Sequence, residues 1–170
     1  MIKRLAFLVL LAFAGTVLLR TFVIEGIYVA SASMEPTLHV GTNFFLEKLT
    51  LRFSKPRRGD IVVFVSPVNP GKDLIKRVIA VGGDKIEIKD KEVFLNGTKL
   101  DEPYIKHTRS NEILQGDNIE PLDVPRDSVF VMGDNRDESG DSRDWKNKDT
   151  GQHIYFVTCD SIKGRIILLY

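Results

Sequence analysis

The feature that most constrains this chain is an almost unbroken apolar run over residues 5–19, preceded by Lys3 and Arg4. The core helix of a globular domain normally has a polar face at helical spacing, and this run shows none. The run therefore predicts a helix whose surroundings are apolar on all sides, as in a membrane.

A cleaved secretory signal also has an apolar segment of this length, with a small-residue cleavage site close behind it. The small residues Ala30-Ser31-Ala32 lie too far beyond Arg20 for that geometry. A membrane span needs about 20 apolar residues, and residues 21–24 extend the run to that length if Arg20 reaches to the headgroups. We therefore favour an uncleaved anchor over a cleaved signal.

The charges that flank the anchor predict its orientation. Lys3 and Arg4 precede the span, which favours a cytosolic N-terminus. We expect residues 1–24 to form the cytosolic N-terminus and the transmembrane anchor. Residues 25–170 are then expected to form a domain on the outer, periplasmic or extracellular, face of an inner or plasma membrane.

After the anchor, helical spacing disappears and short apolar runs alternate with turn residues. Asn96-Gly97 is a strong signal for a tight β-hairpin. Residues 101–125 carry polar residues and prolines, and we expect a long loop or peripheral insertion there. The pattern predicts a mainly antiparallel β domain. The predicted strands are residues 26–30, 43–47, 60–65, 74–81, 85–88, 92–95, 128–132 and 161–169.

Composition excludes several classes of protein. The net charge of +1 gives no basic stripe for nucleic acid. Cys159 is the single cysteine, so an intrachain disulfide is impossible, and its apolar surroundings are typical of core packing. No Cys/His cluster has metal-ligand spacing, and we expect neither a metal nor a cofactor.

Three segments contain polar side chains suited to chemistry, and each has an ordinary structural explanation by itself. Ser33 lies in a small-residue turn before a proline, which is a common loop. Lys76 lies in a strand pattern, where a lysine usually faces solvent. Residues 133–143 are rich in turn formers and charges, as in a solvated loop. A calcium loop is disfavoured because Lys146 stands where a bidentate Glu would be needed.

Together and in this order, the three segments resemble those of the bacterial type I signal peptidases, or leader peptidases. The family's S-x-S-M-x-P-T-L segment is matched by Ser31-Ala32-Ser33-Met34-Glu35-Pro36-Thr37-Leu38. Its lysine segment is matched by Leu74-Ile75-Lys76-Arg77-Val78. Its G-D-N-R-D-x-S-x-D-S-R segment is matched by Gly133-Asp134-Asn135-Arg136-Asp137 with Ser139, Asp141, Ser142 and Arg143.

The resemblance implies a role for each matched polar residue. Ser33 would attack the scissile carbonyl, and a neutral Lys76 would accept its proton. The Ser33 backbone N–H and the Ser31 hydroxyl would form the oxyanion hole, and Ser139 would orient Lys76 by a hydrogen bond. The supporting residues would be the ion pair of Asp141 and Arg143, together with Arg77 and Asp134.

The implied function is a serine endopeptidase that removes signal peptides from exported preproteins at the bilayer surface. We expect the chain to act as a monomer. The implied fold is a β catalytic domain with a smaller β region inserted at about residues 82–125. After Trp145 the chain departs from the family pattern, and residues 146–151 resemble a local insertion near the end of the substrate groove. A Ser–Lys peptidase with one dedicated substrate, a self-cleaving regulator and a catalytically silent membrane-tethered scaffold are the alternatives.

Overall fold

The computed structural model describes residues 2–167 of the chain. Over this range the chain forms two α-helices and eleven β-strands. The helices are α1 (Ile2–Phe22) and α2 (Thr50–Phe53). The strands are β1 (Ile24–Tyr28), β2 (Asn43–Glu47), β3 (Ile61–Val65), β4 (Asp73–Val81), β5 (Lys85–Lys89), β6 (Glu92–Leu95), β7 (Thr98–Lys99), β8 (Ile119–Asp123), β9 (Ser128–Met132), β10 (Val157–Thr158) and β11 (Ile162–Ile167).

Helix α1 is the apolar run, and it buries none of its side chains against the rest of the chain. It has 21 residues and is long and apolar enough to cross a membrane. The helix continues past Arg20 to Phe22, as the length argument requires. Lys48 lies at its end, with its ammonium 3.4 Å from the carbonyl oxygens of both Arg20 and Thr21.

Seven strands form one antiparallel sheet in the order β1-β2-β11-β3-β4-β9-β10. Strand β4 lies between β3 and β9, which pair with its backbone on both edges, and its side chains from Lys76 to Ala80 are buried. The segment between β1 and β2 packs against the same sheet through the buried side chains of Met34 and Leu38. This arrangement brings the serine segment and the lysine segment, far apart in sequence, to one place.

Strands β5 to β8 form a second sheet in the order β7-β6-β5-β8, and they lie in the chain between β4 and β9. Asn96 and Gly97 both have positive φ, of 53° and 80°, and they connect β6 to β7 as the Asn-Gly signal predicts. The mainly antiparallel β class is therefore confirmed. The division into an anchor (1–24), a domain (25–170) and an inserted β region (82–125) stays a prediction.

Three expectations about individual elements need correction. The segment 101–125 is not entirely loop, because it contains β8. The first strand begins at Ile24 and ends at Tyr28, two residues before the predicted 26–30. The last predicted strand, 161–169, is observed as Ile162–Ile167, and its final two residues lie outside the described range.

Candidate active site

Ser33 lies in a short 3₁₀ turn, Ala32–Met34, which follows β1. The turn is held in place by Met34, whose side chain is 1% exposed in the core beneath it. Ser33 itself is 8% exposed.

Lys76 lies in β4, and its Cα is paired with that of Val62 in β3. Its side chain is 3% exposed, contrary to the usual preference of lysine for solvent. The Lys76 ammonium donates a hydrogen bond of 2.7 Å to the Ser33 hydroxyl oxygen. The structure thus brings together the two residues that the sequence resemblance singled out.

Burial lowers the pKa of Lys76 from 10.5 to about 8, because the charged amine loses its hydration. The negative charge of Asp141 opposes this change, whereas the positive charges of Lys72 and Arg143 add to it. With a pKa near 8, about a tenth of the amines are neutral at pH 7. A lysine in this state can accept a proton near neutral pH.

The Ser31 hydroxyl is exposed, and its oxygen lies 3.3 Å from the Ser33 hydroxyl oxygen. It is therefore close enough to approach a group bound at Ser33. Its part in an oxyanion hole stays a prediction.

Ser139 does not make the expected hydrogen bond to Lys76. Within residues 2–167, its buried hydroxyl oxygen has no hydrogen-bond partner. It instead packs beside Gly133, where an added Cβ would lie 2.3 Å from that oxygen and 2.4 Å from the Ser33 carbonyl oxygen. Ser139 thus packs against Gly133 and lies near the nucleophile turn without a hydrogen bond to the amine.

Asp141 and Arg143 form the predicted ion pair, in which Arg143 Nε lies 2.9 Å from Asp141 Oδ1 and Nη2 lies 3.0 Å from Oδ2. Burial by itself would raise the pKa of Asp141, but the charge and hydrogen bonds of Arg143 bring it below its ordinary value. The Asp141 carboxylate also accepts a 3.0 Å hydrogen bond from the Gly133 N–H. The Asp141 side chain is therefore ionised at neutral pH, and its negative charge acts on Lys76.

Arg77 and Asp134 form a second buried ion pair, with Arg77 Nε 2.8 Å from Asp134 Oδ1 and Nη2 2.6 Å from Oδ2. Thr37 donates a hydrogen bond of 2.5 Å to the same carboxylate. Since Thr37 belongs to the serine segment and Arg77 follows Lys76, this network ties the three sequence segments together.

Asn135 also contacts the serine segment, although sequence analysis assigned it no individual role. Its backbone N–H donates a 3.1 Å hydrogen bond to the Ser33 carbonyl oxygen. Its side-chain Nδ2 donates another, also of 3.1 Å, to the carbonyl oxygen of Ala32. The matched segment contains Asn135, but spacing alone cannot indicate which carbonyl a side chain will reach.

A cavity of about 170 Å³ opens beside Ser33 and Lys76. It lies between the end of β1 and the start of β4, and apolar side chains form much of its wall. Its apolar lining residues are Tyr28, Val29, Ala30, Met34, Leu74 and Ile75. Two larger cavities, of about 490 Å³ at the end of α1 and about 480 Å³ beside Cys159, are not lined by Ser33 or Lys76.

Among the described residues, no group of three or more His, Cys, Asp or Glu side chains is placed to hold a metal. A serine hydroxyl in contact with a buried lysine amine is the arrangement needed by serine hydrolases that use lysine as the base.

Comparisons with known proteins agree with this class. The family profile of signal peptidase, peptidase S26, matches residues 2–170. A probable signal peptidase I-2 of Synechocystis sp. is 39% identical over 132 residues, which cover 75% of this chain and 58% of that protein. A signal peptidase I P of Bacillus subtilis subsp. natto is 36% identical over 139 residues, covering 79% of this chain and 74% of that protein.

A signal peptidase I of Leptolyngbya laminosa is 40% identical, and the match covers 75% of this chain and 63% of that protein. The match thus spans between about three fifths and three quarters of these relatives' own length. The crystal structure of a signal peptidase I from Enterococcus faecalis superposes with a TM-score of 0.50 at 30% identity, over 67% of this chain and 98% of that one. The chain therefore belongs to the signal peptidase family, peptidase S26, and the resemblance seen in its sequence is confirmed.

Proposed function

We propose that this chain is a membrane-anchored serine endopeptidase that removes N-terminal signal peptides from exported preproteins, with Ser33 as nucleophile and Lys76 as general base. The observation that supports it most is the 2.7 Å hydrogen bond between the Lys76 amine and the Ser33 hydroxyl, made by a lysine that is 3% exposed. Family membership supplies the reaction class.

In the first step the neutral Lys76 amine takes the Ser33 proton while the Ser33 oxygen attacks the scissile carbonyl. The negative charge that develops on the carbonyl oxygen is stabilised by the Ser33 N–H and the Ser31 hydroxyl. Each such donor is typically worth about 3 kcal/mol of transition-state stabilisation. The Lys76 ammonium then protonates the leaving amine, and the signal peptide remains attached to Ser33 as an ester.

In the second step water attacks this ester, and the Lys76 amine accepts the proton of the water. The tetrahedral intermediate collapses, the ester bond breaks and Ser33 recovers its proton from the Lys76 ammonium. The Asp141 carboxylate favours the protonated form of the amine and the Arg143 guanidinium disfavours it. The pair of Arg77 and Asp134 holds the strand beside the serine turn.

The cavity beside Ser33 is the place where substrate side chains next to the scissile bond would bind. The cavity has a volume of about 170 Å³ and lies directly beside Ser33, so it can take a small side chain of the substrate next to the scissile bond. This agrees with substrates that have small residues one and three positions before the cut, as the family resemblance implies.

The position of the site relative to α1 suits a substrate that is itself held in the bilayer. Only ten residues separate Phe22 from Ser33, and an extended chain advances at most about 3.5 Å per residue. The site therefore lies close to the outer membrane surface if α1 spans the bilayer with a cytosolic N-terminus. A single copy of the chain contains every residue invoked, so we propose a monomer.

Incubation of the purified full chain in detergent with a preprotein, followed by mass analysis of the new N-terminus, tests this proposal. We expect one cut after a small residue, loss of cleavage in Ser33→Ala, and normal cleavage in the exposed control Ser110→Ala. A preprotein left intact by the wild type, or cut equally by Ser33→Ala, would contradict it.

A further inference from the structure

Asn135 is almost completely buried, with 2% of its surface exposed, and it touches the nucleophile turn at two successive carbonyls. The backbone N–H of Asn135 holds the Ser33 carbonyl oxygen, and the side-chain amide holds the Ala32 carbonyl oxygen. The Ala32 oxygen also accepts a 3.1 Å hydrogen bond from the Glu35 N–H. Both of its lone-pair directions are thus used, and its orientation is fixed.

The Ala32 carbonyl and the Ser33 N–H belong to the same peptide unit, which is planar and trans. Fixing the direction of the carbonyl on one side of this plane fixes the direction of the N–H on the other. A hydrogen bond to the carbonyl also polarises the peptide and makes its N–H a stronger donor. A contact made at Ala32 therefore acts on the backbone group that is proposed to bind the oxyanion.

The hydrogen bond from the Asn135 side chain to the Ala32 carbonyl leaves the other end of the amide unpaired, which lowers the stability of the fold. Oδ1 is buried and has no hydrogen-bond partner among residues 2–167. An unpaired buried polar atom destabilises the folded state, and such atoms in native structures call for an explanation. The unpaired oxygen is explained by the orientation of the amide, which places its Nδ2 donor against the Ala32 carbonyl oxygen.

We infer that the side-chain amide of Asn135 is a positioning group for the oxyanion hole, which it orients through the Ala32–Ser33 peptide. The inference rests on the proposed peptidase function, and it assigns Asn135 no contact with substrate. The amide stabilises the tetrahedral intermediates of the reaction and the transition states that lead to them, and it does not change the affinity for the peptide before attack.

Three variants test the inference in the full chain. Asn135→Ala removes the donor together with the unpaired oxygen. Asn135→Asp has the same shape and keeps the backbone N–H, but it presents an acceptor to the Ala32 carbonyl. Asn118→Asp is the matched control, because the exposed Asn118 lies next to β8 in the second sheet and its side-chain oxygen accepts from the Asp90 N–H.

With a signal-peptide substrate, we expect kcat to fall on the order of 10- to 100-fold in both Asn135 variants, since removal of an oxyanion donor itself costs on the order of 100-fold or more. KM should change by less than about threefold, because the ground state does not use the oxyanion hole. The Asn118 control should match the wild type.

A pair of inhibitors separates positioning from a general structural effect. A peptide aldehyde forms a tetrahedral adduct with Ser33, and its affinity should fall in parallel with kcat. An analogue of the same sequence with a reduced, uncleavable scissile bond forms no such adduct, and its affinity should stay within about threefold of the wild-type value.

Equal loss of affinity for both inhibitors, or wild-type kcat in the two Asn135 variants, would overturn the inference. If Asn135→Ala unfolds, Asn135→Asp gives the same comparison with the shape of the side chain retained. Failure of the proposed function is a different result, because the wild-type chain itself would then cleave no substrate.

Discussion

The side chain of Lys76 cannot act as a base while it is protonated. Its burial lowers the pKa of the amine and so favours the neutral form. A pKa of about 8 predicts that the rate of cleavage rises as the pH increases through that value. Lys76→Arg should be inactive across the range, since a guanidinium stays protonated in proteins. Steady-state rates between pH 6 and pH 10 check both expectations.

The matched control is Lys163→Arg, because Lys163 is an exposed lysine paired with Asp73 on the neighbouring surface. It should leave the pH profile unchanged. Near-normal turnover by Lys76→Arg would show that another group accepts the proton.

The same burial predicts an effect on stability. Between pH 8 and pH 10.5 the folded protein holds fewer protons at Lys76 than the unfolded chain does, so the free energy of unfolding rises with pH in this window. Below pH 8 the penalty is fully present and amounts to about 3 kcal/mol. Lys76→Met lacks it, so denaturant unfolding should show a variant more stable than the wild type at pH 7 and a difference that shrinks above pH 8.

Lys163→Met, which removes an exposed amine, should give no such pH-dependent difference. A constant difference between Lys76→Met and the wild type from pH 7 to pH 10.5 would mean that the buried amine is not the titrating group.

At the level of single residues, sequence patterns by themselves placed neither Ser33 nor Lys76 in a site, because a turn serine and a strand lysine are common. The order of three matched segments indicated the pair. The resemblance also predicted a hydrogen bond from Ser139 to Lys76, which the structure does not contain. It assigned no role to Asn135 or Thr37. Those differences depend on side-chain directions at turns, which the spacing of residues does not determine.

At the level of elements, the nucleophile turn and the loop after β9 pack so closely that only a glycine fits between them. A Cβ at Gly133 would lie within 2.5 Å of atoms of both Ser33 and Ser139. Gly133→Ala should therefore displace the turn, destabilise the fold by about 1–3 kcal/mol and abolish cleavage. Chemical denaturation and a cleavage assay measure the two effects.

Gly140→Ala is the control for this change, because no atom lies within 4 Å of an added Cβ there. It should retain both stability and activity. A Gly133→Ala protein that is as active as the wild type would contradict the close packing described for the turn.

Most strands were predicted from period-two patterns and turn residues, and the exceptions have physical causes. Strand β8 contains Pro121, which argues against a strand in sequence, yet β8 lies at the edge of its sheet, where a proline is tolerated. Helix α2 has only four residues, too few to show a helical period. The order of strands in the seven-stranded sheet depends on contacts between distant segments, which local patterns do not contain.

At the level of the whole molecule, α1 is the part most weakly bound to the rest. It buries no side chain, so removal of residues 2–22 should leave the β domain folded, with a melting temperature within a few degrees of the full chain. The shortened chain should no longer float with lipid vesicles, whereas full-length Ser33→Ala should float as the wild type does. Flotation of the shortened chain would show that α1 is not the membrane anchor.

The central claim is that Ser33 becomes covalently linked to the signal peptide during cleavage. Rapid acid quenching of a single-turnover reaction, followed by proteolysis and mass spectrometry, tests it most directly. We predict a mass increase equal to that of the acylating signal peptide on the fragment that contains Ser33, and no such fragment from Lys76→Arg. An acyl group on another side chain, such as Cys159, would contradict the claim.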